Sequence, residues 1–200
     1  MIHIMTNFGG RQMKYRNLYL ILALAILLAG CQSTPYTLEG SIQSNDIELP
    51  FTYLHDPGSR VSEKTIDRWE DILQTEGAEA LERKDKVFYF SMSEDRQIEF
   101  LQEVKDEIFT FIETDFHRWM GGVEDTHVKE DLSKVTIYVE DERYVNDIEL
   151  NSGFNIAARH LAIFHLFRGI DPKDLSFTIE FADHETEKVI KKFTREEIYE

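Results

Sequence analysis

The chain has 200 residues, with 38 acidic against 22 basic side chains and a formal net charge of −16 at pH 7. That excess of carboxylates repels a phosphate backbone, which excludes nucleic acid as a partner. Cys31 is the only cysteine, so no intrachain disulfide can form, and 14 Phe, 8 Tyr and 2 Trp must supply the apolar area that holds the fold together.

The first 31 residues are built unlike the rest. Arg11, Lys14 and Arg16 are their only Lys, Arg, Asp or Glu residues, Leu18 to Ala29 are apolar or Tyr, and Leu28-Ala29-Gly30-Cys31 leads into the polar Gln32-Ser33-Thr34-Pro35. A membrane-spanning helix needs about 20 consecutive apolar residues, and this run is too short to stay in a bilayer. A basic flank, a short apolar stretch and small residues before a cleavage point read as an export signal.

Leu28, Ala29, Gly30 and Cys31 fill all four positions of a lipobox, and residues 13–31 resemble the signal peptides of bacterial lipoproteins. The resemblance implies that the Cys31 thiol receives a diacylglyceryl group and that the chain is cut between Gly30 and Cys31. Two acyl chains hold a protein on a membrane where one does not. Residues 1–30 are then the signal peptide, 31–35 the lipidated cysteine and a short tether, and 36–200 a domain on the extracytoplasmic face of the cell membrane. Residues 1–12 add nothing a signal needs, so Met13 is the expected start of translation. Without the leader the body is still more acidic, which keeps it from lying flat on anionic lipid.

Tyr36 to Gln43 and Ile47 to Leu54 read as two strands around the turn-forming Ser44-Asn45-Asp46, an N-terminal hairpin. From Ser62, a helix cap, the apolar positions Ile66, Trp69, Ile72, Leu73, Ala80 and Leu81 follow helical spacing, with Gly77 as a weak point. Val87 to Phe90 is a β-favouring run. Ser93-Glu94-Asp95 then starts a long helix, rich in phenylalanine, that stops at Gly121-Gly122. Lys134 to Glu140 alternates as a strand. Asn151 or Ser152 caps a nearly all-apolar helix that Gly169 and Pro172 end, and Leu175 to Ala182 with Lys188 to Thr194 form a closing hairpin. The expected order is β-β-α-β-α-β-α-β-β: a single α+β or α/β domain with a mixed β-sheet and about three packed helices.

No local hydrolase motif is present: neither G-x-S-x-G, S-x-x-K nor H-E-x-x-H occurs. His160 and His165, five residues apart on one helix, point about 140° apart and cannot share an ion. His117 and His127 flank Gly121-Gly122 near Glu124 and Asp125, so a bend there could assemble a zinc-type site, against capping and surface roles for the same residues. Glu140 to Glu142, Asn146, Asp147 and Glu149 gather oxygen donors that suit weak Ca²⁺ binding, against a solvated acidic loop without the spacing of an EF-hand. Phenylalanines at helical spacing form core more often than a ligand pocket.

These observations lead to a membrane-anchored lipoprotein with a non-catalytic binding or assembly domain, engaging an envelope or membrane-protein partner and requiring no cofactor. The competing expectation is a small cell-envelope enzyme, a metal-assisted hydrolase working through the region around His117 and His127.

Overall fold

The computed structural model describes residues 38–146 and 152–199. The lipobox residues Leu28, Ala29, Gly30 and Cys31 and the calcium candidate Asp147 lie outside the described residues.

Two sheets and three long helices make an α+β fold. In the first sheet β1 (Asp46–Pro50), β2 (Glu79–Lys84) and β3 (Val87–Ser91) run antiparallel in the order β1-β3-β2. Ile47, Leu49, Phe88 and Phe90 alternate onto the face that is buried. Asp85 and Lys86 join β2 to β3, both at positive φ (52° and 63°), the backbone signs of the tight turn that matches strand twist.

In the second sheet β4 (Val123–Val128), β5 (Lys134–Val139), β6 (Thr178–Asp183) and β7 (Val189–Thr194) lie in that order. Only β5 and β6 are parallel. Parallel neighbours need a long crossover, and here it contains the helix Ser152–Phe167. Val135, Ile137, Val139, Ile179 and Phe181 are fully buried on the inner face. On the other face Glu180 is held between Lys134 and Lys192, with N–O distances of 2.5 and 3.7 Å.

The helices are α1 (Glu63–Thr75), α2 (Glu94–Thr110), the short α3 (Phe116–Trp119), α4 (Ser152–Phe167) and the short C-terminal α5 (Arg195–Tyr199). Ser62 caps α1 through a 3.1 Å bond from the Thr65 backbone N–H. α2 runs through one π turn, Phe111–Asp115, into α3. Ile108, Ile112, Phe116 and Met120 are all buried at a spacing of four, more than the 3.6 residues of an α turn. The wider turn, in which the Phe116 N–H reaches the Phe111 carbonyl, absorbs that excess. α4 is the centre of the molecule: Ala158, Leu161, Ala162, Phe164, Leu166 and Phe167 are each 0% exposed. Among the described residues no helix is long and apolar enough to cross a membrane.

The segment that enters the domain is strapped across the end of α4. Leu38–Ser41 is a 3₁₀ turn. Beyond it the Gln43 N–H donates to the Arg168 carbonyl at 2.7 Å, Arg168 Nε donates to the Ser41 carbonyl at 3.1 Å, and Gln97 Nε2 donates to the Ser44 carbonyl at 2.9 Å. Gly169, at φ +75°, lies directly beneath Ser44.

Several expectations are corrected here. Among the described residues no N-terminal hairpin forms: from Leu38 on, the segment expected as the first strand is a turn tied to α4, and the strand expected over Ile47 to Leu54 ends at Pro50, where Phe51–Leu54 coils into a buried 3₁₀ turn. β1 pairs with β3 instead. Ala80 and Leu81 belong to β2, not to the first long helix, because Gly77 at φ +85° ends the helical path and the chain turns back along β3. β4 and α5 are elements beyond the expected order. The mixed sheet is the four-stranded one, while the N-terminal strands form a separate antiparallel sheet.

Candidate functional site

α1 has two apolar sides and buries only one of them completely. Ile66 and Leu73 are in the core, whereas Trp69 and Ile72 are half-buried. They line a cleft of about 590 Å³ whose opposite wall is α2. Phe100 and Val104 of α2 and Ile163 of α4 make an apolar floor. One end is pinned: Arg96 Nε, in the first turns of α2, donates to the Glu76 carbonyl just beyond α1 at 3.1 Å, and the same guanidinium pairs with the Glu76 carboxylate.

The rims are charged. Lys64 and Arg68 stand four residues apart on α1, and Glu103 and Glu107 stand four apart on α2. That spacing puts each pair on one face, about 6 Å along its helix. All four are exposed, and among the described residues none makes an ion pair or a side-chain hydrogen bond. Arg159 of α4, also lining the cleft, is paired with Asp56 at 3.1 Å.

His160 completes the lining from α4. Its ring meets Phe111 edge-on at 6.2 Å, and its buried Nδ1 has no hydrogen-bond partner. Burial, and then the neighbouring Arg159 charge, lower its pKa to about 4, so it is neutral at pH 7. No hydroxyl or carboxylate among the described residues is hydrogen-bonded to it. A neutral imidazole carries one N–H donor and one acceptor nitrogen and no charge to hold an ion.

His165 faces elsewhere on the same helix. Its Nε2–H donates to the Leu132 carbonyl at 3.1 Å, and Nδ1 accepts from Arg168 Nη1 at 3.2 Å. Burial is the main reason its pKa also falls to about 4, reinforced by Arg168 and opposed by the Leu132 bond. Protonation would destroy the acceptor at Nδ1 and place a cation beside a guanidinium. Both histidines bind protons more readily unfolded, near pH 6.5, than folded, so stability is complete above about pH 6.5 and declines as pH falls toward 4. Each contributes on the order of 2–3 kcal/mol to that loss. Urea unfolding between pH 7 and 4.5 should show the decline, and His165→Gln should flatten it; an unchanged slope would place the titration elsewhere.

The other sequence candidates are dispersed. His117, exposed on α3, donates from Nδ1 to the Val123 carbonyl at 3.0 Å, and His127 lies on β4 opposite Thr136. Among the described residues no three or more His, Cys, Asp or Glu side chains gather around one point that could hold a metal. In the acidic loop Asp141 is occupied by Arg143: its carboxylate accepts from the Arg143 N–H at 2.8 Å and pairs with the guanidinium at 2.9 Å, which holds its pKa below the usual carboxylate range.

Lys64, Arg68, Glu103 and Glu107 escaped the sequence reading. The available signal was a pair of like charges one helical turn apart beside apolar positions, which is also how any solvated helix face looks. Comparison with known proteins found no protein family, no characterised protein and no solved structure that matches this chain.

Proposed function

We propose that this chain is a lipid-anchored, non-catalytic binding protein of the bacterial envelope, moored through Cys31 and engaging an envelope or membrane-protein partner in the groove between α1 and α2. The groove carries the binding reading: apolar side chains lie at the bottom of a cleft whose rim charges Lys64, Arg68, Glu103 and Glu107 have no partner among the described residues. The anchoring rests on Leu28, Ala29 and Gly30 before Cys31 at the end of a short apolar run.

Mass spectrometry of protein purified from bacterial membranes tests the anchor. The expected mature product begins at an acylated Cys31, and Cys31→Ala moves the protein out of the membrane fraction; an unacylated product beginning upstream would refute the anchor. For the groove, a photo-crosslinking amino acid at Thr65 should capture a discrete partner in living cells, whereas one at Lys192 on the outer face of the second sheet should not. Equal capture at both positions, or none at Thr65, removes the binding reading.

A further inference from the structure

The two rims of the groove have opposite sign. Lys64 and Arg68 stand on α1, Glu103 and Glu107 on α2, and they do not neutralise one another across the gap. An occupant of a single sign would satisfy one rim and bring its charge close to the like charges of the other. An uncharged occupant would shield both rims from water without replacing it.

Resting on the binding reading above, we propose that the groove takes a peptide segment of a partner protein that carries a basic and an acidic side chain flanking an apolar one. The apolar side chain sits on Phe100, Val104 and Ile163. The carboxylate meets Lys64 and Arg68, and the ammonium or guanidinium meets Glu103 and Glu107. A cleft of about 590 Å³ has room for a few residues, not for a folded domain. The charge of −16 draws the basic end toward the domain, while the α1 rim sets the direction in which the segment lies.

The test uses the full chain in detergent with Trp119→Phe, which leaves Trp69 on the groove wall as the only tryptophan of the original two. The probe is acetyl-Lys-Leu-Leu-Glu-amide, capped so that its charges are those of an internal segment. It should change Trp69 emission saturably, and analogues with Gln in place of Lys or of Glu should bind roughly tenfold more weakly. Lys64→Glu with Arg68→Glu should weaken the probe by a similar factor. Adding Glu103→Lys and Glu107→Lys should restore binding, because the peptide can then lie the other way round; a merely structural role for these residues would not be restored.

Equal affinity for the Gln analogues, no restoration, or no response of Trp69 overturns the proposal. Binding of free Leu-Leu but not of the capped probe also overturns it, in favour of a free zwitterionic peptide. A Thr65 crosslink in cells that survives every charge variant would show that the groove binds by another chemistry. Absence of that crosslink would instead remove the binding reading itself.

Discussion

Phe167→Ala lowers the unfolding free energy by about 3–5 kcal/mol. Phe167 is 0% exposed in the last turn of α4, stacked on Phe100 of α2 with centroids 4.2 Å apart and tilted against Phe90 of β3 at 5.5 Å. One ring therefore joins the central helix, the long helix and the first sheet. Its removal leaves a cavity bounded by side chains from three elements that cannot all relax into it. Urea unfolding measures the loss, with Phe109→Ala as the control. Phe109 is half-buried on α2, so its truncation should cost far less. Similar losses for the two variants would mean that Phe167 does not join these three elements.

Gly169→Ala should destabilise the domain by about 3 kcal/mol or more. A Cβ on Gly169 would lie 2.3 Å from the Ser44 carbonyl oxygen and 2.5 Å from its nitrogen, at a φ of +75° that already disfavours any side chain. The strap over α4 would have to lift, breaking the Gln43–Arg168 and Gln97–Ser44 hydrogen bonds. Gly58 separates the two contributions. It has almost the same φ, +74°, with nothing within 4 Å of its Cβ position, so Gly58→Ala incurs only the backbone term of about 1–2 kcal/mol. Melting temperatures of the two variants, with amide exchange at Ser44 and Asn45, give the comparison. Equal losses would show that the strap does not press on Gly169.

The helices were legible because their signals are local. Ser62 caps α1 as its hydroxyl position suggests, Glu94 and Asp95 open α2, and Gly169 at positive φ with Pro172 beyond it closes α4. β5 was legible because Val135, Ile137 and Val139 all face the core, and the closing hairpin because β6 has a buried face beside a turn. β2 and β4 lacked that signal. β2 is exposed along nearly its whole length, and β4, Val-Glu-Asp-Thr-His-Val, has no fully buried residue. Neither carries a pattern of its own, and what makes them strands is the hydrogen-bonding edge offered by β3 and β5.

The candidate site divides in the same way. His160 was visible as a residue, but its orphaned nitrogen and depressed pKa depend on what α2 and Arg159 place around it. The charged rims were ordinary helix surface until the fold set one against the other.

By itself the amino-acid order determined the acidic body, the lipobox-like ending of the apolar leader, the three long helices and a mixed α and β composition that left α+β and α/β both open, since net charge, short motifs, caps and periodicity act within a few residues of one another. Tertiary structure alone decided the division into two sheets, the strap over Gly169 and the groove between α1 and α2. Each of these depends on residues far apart in sequence meeting in space, and a contact of that kind leaves no periodic trace in either partner.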